Sequence, residues 1–309
     1  MRSSLLALVV LLGSTSVLAR PTPEEVREAS VVVVAGSADH MDQVHKRAGV
    51  SFIVVNPEDL PELPLHGRQV LMVNCRGEMS EASRERVRRF VAAGGFLYTT
   101  DHAVKELIET TFPNTLVYNH TNTEQAIFPL QLRGEEKDRG LLKHLGEQSS
   151  QRWQLAGGGY LFKVLDPHKV DVLMESEQVK KKYGTGVLGA RFRYQDGVVI
   201  HVTGHFYSQP GQRGEVAEAG QAFEQLSRNV VETKAADGAR LEALYNKQAK
   251  KKVMLQSAPA PSAKPVAPST VTTQSLGQGT RVKVLEKKDS YVRVRDEQGN
   301  EGWVDQDAL

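Results

Sequence analysis

Cysteine is nearly absent from this sequence, which has one thiol, Cys75, among its 309 residues. A single cysteine cannot form an internal disulfide, so packing rather than cross-linking must stabilise the fold. An excess of charge of one sign is also lacking, because the formal net charge is +2 and basic residues are interleaved with acidic ones. This balance excludes the strongly basic face typical of nucleic-acid-binding proteins, and we expect no nucleic-acid partner.

Long hydrophobic runs are confined to the N-terminus. Residues 1–19 carry Arg2, an apolar stretch over residues 5–12 and small residues that end at Ala19, which is the pattern of a secretory signal. A membrane anchor is the alternative, but spanning a bilayer takes roughly 20 apolar residues and this stretch is shorter. We therefore expect cleavage after Ala19, export to the periplasm or the extracellular space, and no membrane span in the exported chain.

Hydrophobic residues make up 40% of the chain, which suffices for a sizeable core. Several form short continuous runs, at residues 31–34, 52–55, 70–73 and 96–99. Continuous rather than alternating runs are typical of strands that are covered on both faces. Between the last two runs, Ser80 can cap a helix that Gly94 ends. The predicted fold class is α/β, with a mostly parallel sheet flanked by helices.

Further strands and then helices follow. Residues 170–174 predict another strand, and residues 187–194 and 198–203 predict a hairpin that ends the sheet. Residues 214–248 are polar, with apolar positions at helical spacing and an interruption near Gly238. This pattern predicts two closing helices.

The segment after the fourth run has the spacing of a nucleophile elbow. In Thr99-x-Asp101-x-Ala103, small residues flank a central residue and allow it to sit on a sharp strand-to-helix turn. Gly94-Gly95 precedes this motif, and His205 follows the last predicted strand. On these features residues 29–233 resemble the class I glutamine amidotransferase-like superfamily. The resemblance implies a flavodoxin-like arrangement of the sheet.

In that superfamily an elbow cysteine attacks an amide, a histidine serves as base, and an acid commonly stands two residues after the histidine. Here His205 matches the histidine, but the elbow carries Asp101 and position 207 is Tyr207. A carboxylate is a poor nucleophile toward amides, so amidotransfer is not expected. The resemblance instead implies a cleft in which Asp101, His102 and His205 contact a ligand without catalysis.

Other interpretations of these side chains stay open. Asp101 and His205 are candidate catalytic residues of a hydrolase, in which a carboxylate forms an ester and a histidine activates water. Asp101 can instead cap the helix that begins at His102, and side chains can fill the cleft. Cys75 is expected to be a buried, inert thiol rather than a nucleophile. The histidines lack metal-binding spacing, so we expect no metal site and no cofactor.

The period of the sequence changes near the C-terminus. After Gly279, apolar and charged residues alternate, which predicts short strands joined by tight turns. With Gly302-Trp303-Val304 and the final Leu309, residues 252–309 resemble the bacterial SH3 family. The resemblance implies a small all-β SH3-like barrel. A Pro-rich insertion occupies residues 258–270, and a helical connector over residues 234–251 is expected before the barrel.

Domains of this family often bind cell-wall peptides or proteins, so the resemblance implies peptidoglycan or an envelope protein as partner. Tyr291 and Trp303 are the candidate ligand-binding residues, because together they can form part of an aromatic groove. Trp303 can alternatively fill a barrel that is too small to hold much other core. The sequence as a whole therefore leads us to expect a non-catalytic binding or scaffold protein of the cell envelope, with the hydrolase as the alternative.

Overall fold

A computed structural model describes residues 20–37, 39–135, 138–145, 152–205, 215–259 and 274–309. The predicted secretory signal therefore lies outside the described residues, as do Tyr207 and most of the Pro-rich insertion. Among the described helices, none combines the length and the apolar character needed to cross a bilayer.

The continuous apolar runs form strands, as predicted. The strands of the N-terminal part are β1 (Val31–Val34), β2 (Ile53–Val55), β3 (Val70–Val73), β4 (Phe96–Thr100), β5 (Leu116–Asn122), β6 (Ala126–Pro129), β7 (Gln131–Leu132), β8 (Arg152–Leu155), β9 (Tyr160–Val164), β10 (Val170–Glu175), β11 (Val187–Tyr194) and β12 (Gly197–Val202). One eight-stranded sheet has the order β2-β1-β3-β4-β12-β11-β10-β7. Its strands from β2 to β12 are parallel, and the last three pairings are antiparallel.

Helices cover both faces of this sheet. They are α1 (Pro23–Glu28), α2 (Met41–Ala48), α3 (Glu81–Ala92), α4 (Glu109–Thr111), α5 (Arg139–Leu142), α6 (Glu177–Tyr183), α7 (Glu215–Ala236) and α8 (Gly238–Leu244), with a π-helix (Val104–Ile108) directly before α4. The Ser80 hydroxyl accepts from the Ser83 N–H at 3.1 Å, which confirms the predicted cap of α3. The interruption near Gly238 is confirmed as well, because α7 and α8 meet there.

The core is divided by the sheet into two clusters. On one face, residues of α2 and α7 pack against the strands, for example Met41 and Leu226. On the other face, α1, α3 and the π-helix contribute, for example Phe90 and Leu107. The described chain is thus a mixed α/β protein with a large, mostly parallel sheet flanked by helices, as its apolar runs predicted.

An insertion between α4 and β10 was not predicted. Four of its strands form two small antiparallel pairs, β5 with β9 and β6 with β8, and its strand β7 joins the main sheet beside β10. Trp153 on β8 anchors it, because the buried indole N–H donates to the Thr203 carbonyl at 2.6 Å and the ring lies 3.9 Å from that of Phe223. The insertion therefore packs against the end of β12, where the chain leads to His205.

The C-terminal residues form β13 (Lys247–Gln248), β14 (Val253–Met254), β15 (Ser275–Leu276), β16 (Arg281–Lys288), β17 (Tyr291–Asp296) and β18 (Glu301–Asp305). We call residues 247–309 the C-terminal β unit. β13, β16, β17 and β18 make one antiparallel sheet, and β14 pairs with β15. The predicted connector over residues 234–251 is helical only as far as Leu244, because β13 within it joins the sheet beside β16. The prediction of an entirely helical connector was therefore wrong.

The C-terminal β unit contacts the α/β part directly through polar groups. Buried Arg295 donates to the Ala92 carbonyl at 3.0 Å and to Asp196 at 3.2 Å. Arg86 donates to the Gln298 carbonyl at 3.2 Å, and Arg89 donates to Asn300 at 3.0 Å. The turn between β17 and β18 therefore sits against the end of α3, and the β unit is docked rather than joined by its chain alone.

Candidate functional site

The chain turns sharply where β4 ends. Asp101 follows β4 directly and has φ 48°, a left-handed conformation that is uncommon for residues other than glycine. Small neighbours allow this turn, because a Cβ built on Gly77 would lie 2.8 Å from the Cβ of Ala103. The predicted strand-to-helix elbow centred on Asp101 is confirmed.

The Asp101 carboxylate points into the protein and has no exposed surface. Its Oδ1 accepts from the Tyr160 N–H at 2.7 Å, and the Gly204 N–H also faces the carboxylate. The helix after the elbow has Ala103 at its N-cap, and no side chain caps it there. The helix-capping interpretation of Asp101 was therefore wrong, because the insertion supplies a different donor.

His205 and Cys75 lie beside this carboxylate. His205 Nε2 is 3.7 Å from Asp101 Oδ2 and 3.2 Å from Cys75 Sγ. Sheet order explains the meeting, since β3, β4 and β12 are neighbours and these three residues follow their carboxyl ends. The expected burial of Cys75 is confirmed, but sequence reasoning did not place it in the site.

Burial raises the pKa of both acidic groups of this cluster. It raises the pKa of the Asp101 carboxyl, although the neighbouring His205 and the Tyr160 N–H oppose the rise. It also raises the pKa of the Cys75 thiol to about 12, despite an N–H from the His102 backbone. A nucleophilic cysteine needs a lowered pKa, and burial acts on the Cys75 thiol in the opposite direction.

The hydrolase alternative requires Asp101 to attack a substrate. Asp101 and His205 do converge, but their separation of 3.7 Å exceeds a hydrogen bond and Asp101 is fully buried. A nucleophile must contact its substrate, so this geometry does not favour attack by the carboxylate.

Aromatic rings extend from the elbow along the insertion. The His102 ring stacks on Tyr160 with centroids 3.8 Å apart, and Tyr160 stacks on Tyr118 at 4.1 Å. The His102 Nε2 also lies 3.0 Å from the Gly158 carbonyl, which ties the elbow to the glycine-rich turn before β9. The run Gly157-Gly158-Gly159 indicates this turn in the sequence, as the structure confirms, but sequence reasoning missed Tyr160 as a residue of the site.

A crevice opens next to this cluster, at the carboxyl ends of β1 and β3. Its volume is about 260 Å³, and it is lined by Ala35, Gly36, Ser37, Pro57, Arg76, Gly77 and Glu78. Arg76 follows Cys75 directly, so one wall of the crevice continues into the cluster.

The two candidate residues of the C-terminal β unit differ in exposure. Trp303 is 8% exposed, and its backbone pairs with Gln256. Tyr291 is half-buried at the start of β17. The structure does not bring either residue together with Asp101, His102 and His205 through any described contact.

No family model and no curated protein matches this sequence. Among solved structures, the chain is similar to a cytoplasmic protein, STM3548, from Salmonella typhimurium, with 11% identity over 66% of this chain and 98% of that chain and a TM-score of 0.43. It is also similar to a ThuA-like protein from Parabacteroides merdae, with 14% identity over 66% of this chain and 88% of that chain and a TM-score of 0.45. It is similar as well to the mmIFT52 N-terminal domain, with 11% identity over 64% of this chain and 97% of that chain and a TM-score of 0.42. Similarities this weak carry no argument about function.

Proposed function

We propose that this protein is a binding protein whose α/β part holds a small anionic ligand in the crevice between β1 and β3. The observation that carries the proposal is the position of the crevice. The five parallel strands follow the order β2-β1-β3-β4-β12, which is the flavodoxin-like order, and the strand order reverses at the crevice. In open α/β sheets, ligands bind at that reversal, outside the carboxyl ends of the strands.

The chemistry of the lining favours an anion. Arg76 is exposed, with its guanidinium 3.6 Å from Glu78, so a carboxylate or phosphate can compete for the same donors. Gly36 and Gly77 keep side chains away from the crevice walls and leave the backbone accessible. The ligand contacts proposed for Asp101, His102 and His205 belong to the neighbouring cluster, which adjoins the crevice where Cys75 is followed by Arg76.

Ligand binding is tested by thermal unfolding of the full chain with inorganic phosphate, a mononucleotide and a dicarboxylic acid as probes. We expect at least one probe to raise the Tm, because a ligand at 100 times its Kd stabilises a protein by about 2.7 kcal/mol. Arg76→Ala is expected to remove this shift. Arg84→Ala is the matched control, since Arg84 lines a different depression of about 340 Å³ beside α3. Equal shifts in both variants, or no shift with any probe, would contradict the proposal.

We also propose that the C-terminal β unit is an SH3-like barrel that engages peptidoglycan or an envelope protein after export. The antiparallel order of β16, β17 and β18 and the pairing of Gln256 with Trp303 support this assignment. Because Tyr291 is less buried than Trp303, it is the better placed of the two to contact a partner.

The full chain is accordingly expected to co-sediment with purified peptidoglycan and to fractionate with the cell envelope. Tyr291→Ala should weaken sedimentation about tenfold, the effect of losing one aromatic anchor of an interface. Lys251→Ala, at an exposed position outside the sheet, should leave it unchanged. A cytoplasmic, uncleaved chain would contradict the export proposal.

A further inference from the structure

We propose that Cys75, Asp101 and His205 together bind a divalent transition metal ion, for which Zn²⁺ is the best match. The sulfur of Cys75, a carboxylate oxygen of Asp101 and a ring nitrogen of His205 all lie within 4.8 Å of one another. The inference concerns this cluster and does not depend on whether an anion binds in the crevice.

Two of the three separations are close to those around a tetrahedral ion. Bond lengths of roughly 2.3 Å for Zn–S and 2.0–2.2 Å for Zn–N and Zn–O place the ligand atoms of such a site about 3.3–3.6 Å apart. His205 Nε2 lies 3.2 Å from Cys75 Sγ and 3.7 Å from Asp101 Oδ2. The third pair, Cys75 Sγ and an Asp101 carboxylate oxygen, lies no more than 4.8 Å apart, so bringing all three atoms to bonding distance from one ion requires these two side chains to approach each other.

A catalytic triad would use the histidine differently. In a triad, one ring nitrogen faces the nucleophile and the other faces the acid. Here the same nitrogen, Nε2, faces both the thiol and the carboxylate. A metal ion requires its ligand atoms to converge on one point. Proton relay instead requires the acid, the histidine and the nucleophile to stand in a row, with the histidine between the other two.

One oxygen of the site lacks a hydrogen bond. Asp101 has no exposed surface, its Oδ1 accepts from Tyr160, and its Oδ2 makes no hydrogen bond within the described residues although the Gly204 N–H faces the carboxylate. A buried carboxylate oxygen without a partner is costly, and a bound cation removes that cost. The Tyr160 N–H meanwhile holds the carboxylate so that Oδ2 faces His205, as outer-shell partners of metal ligands do.

The glycine-rich turn leaves room at this oxygen. A Cβ built on Gly159 would lie 2.7 Å from Asp101 Oδ2, so any side chain there would push the carboxylate away. Gly157, two residues earlier, is different, since a Cβ there would meet only the Gln125 nitrogen at 3.9 Å. The two glycines therefore provide a matched pair of positions for a test.

The donor set selects the kind of metal. Thiolate and imidazole ligands favour zinc over magnesium and calcium, which prefer sites made of oxygen. A bound cation also deprotonates a thiol that would otherwise stay protonated. Three protein ligands leave a fourth position for water or a ligand atom, and His205, whose side chain is 16% exposed, lies on the accessible side.

The proposal is tested with the full chain carrying no histidine tag, stripped with a chelator and reloaded with Zn²⁺ or Co²⁺ alone. We expect one equivalent of metal per chain, and a sulfur-to-cobalt charge-transfer band that reports coordination by Cys75. Cys75→Ser should abolish the band. Each of Cys75→Ser, Asp101→Asn and His205→Ala should weaken Zn²⁺ binding by more than the roughly 10- to 100-fold that loss of an outer-shell partner costs.

Gly159→Ala should weaken Zn²⁺ binding without removing any ligand, whereas Gly157→Ala and the exposed His168→Ala should bind as the parent chain does. Circular dichroism identifies any variant that fails to fold, and the cobalt spectrum of the parent chain tests the proposal without a variant. Absence of the charge-transfer band in the parent chain would overturn it. So would stoichiometric Zn²⁺ binding that survives loss of all three side chains.

Discussion

Replacing Arg295 with alanine is expected to lower the free energy of unfolding by about 3 kcal/mol, because it removes one member of a buried ionic network. The Arg295 guanidinium contacts Ala92, Gln195 and Asp196 of the α/β part and Glu301 of its own sheet. Without Arg295, the buried Ala92 carbonyl loses a hydrogen-bond donor. The negative charge of Asp196 then keeps Lys283 as a partner but loses the guanidinium. The C-terminal β unit should also separate more readily from the α/β part.

Arg293→Ala is the matched control for this prediction. Arg293 lies two residues earlier on β17 and also pairs with Glu301, but its side chain is 46% exposed. An exposed pair of this kind contributes less than about 1 kcal/mol. Urea unfolding of both variants measures the difference, and limited proteolysis reports separation of the β unit. Equal stability of the two variants would mean that the network at Arg295 does not hold the units together.

Mild acid should destabilise the fold through two buried histidines. Burial lowers the pKa of His45 to about 4, against a small opposing effect of Asp42, and burial lowers the pKa of His201 to about 3. In the unfolded chain both titrate near their ordinary value, about 6.5. Below pH 6.5 the unfolded chain therefore binds protons that the folded chain does not bind, and stability falls as the pH falls.

The size of the effect follows from the same values. Stability from these residues is fully present above about pH 7 and is lost toward pH 4, by about 6 kcal/mol for the pair. Between pH 6 and 5 the free energy of unfolding falls by about 2 kcal/mol, because the unfolded chain binds close to one more proton at each of the two histidines than the folded chain does. The measurement is the free energy of unfolding in urea at each pH, in the parent chain and in His45→Leu, His201→Leu and the double variant.

Carboxylates also titrate in this range, so the comparison between variants is the informative quantity. The double variant should have a slope that is shallower by about 2 kcal/mol per pH unit between pH 6 and 5. His168→Leu, at an exposed position, should keep the slope of the parent chain. An unchanged slope in the double variant would show that neither histidine stays uncharged in the folded chain.

Local sequence determined much of the main sheet. The runs at 31–34 and 70–73 form strands at those boundaries, because a strand buried on both faces must be apolar at every position. The predicted hairpin strand at 187–194 also has its predicted bounds. The insertion was not predicted, since β6 and β8 are short and partly exposed and carry no continuous apolar pattern. Their pairing depends on contacts with distant residues rather than on local preference.

The site was predictable only in part. The elbow spacing located Asp101, and the position after the last parallel strand located His205. Cys75 could not be assigned to the site, because its meeting with His205 depends on which strands are neighbours. Tyr160 could not be assigned either, since the glycine run before it marks a turn but does not indicate that the Tyr160 N–H reaches a carboxylate 59 residues away.

The C-terminal strands were predicted well, and their connection to the rest of the chain was not. Alternation of valine with charged residues marked β16 and β17, since one face of each strand is buried. On the charged face, Arg295 is buried against Ala92 and Asp196. Charge patterning identifies a polar face and does not reveal that a second polar surface covers it.

The pairing of β14 with β15 has a consequence for how this chain can vary. Leu255 donates its N–H to the Gln274 carbonyl at 2.9 Å, so the residues on either side of the Pro-rich stretch are fastened to each other. The Pro-rich stretch therefore leaves and re-enters the same C-terminal β unit, and it is not a spacer that sets the distance between this unit and the α/β part. Closing a longer loop costs only about 0.6 kcal/mol for each doubling of its length. Natural variants can thus gain or lose many residues between 259 and 274 while the β unit keeps its place.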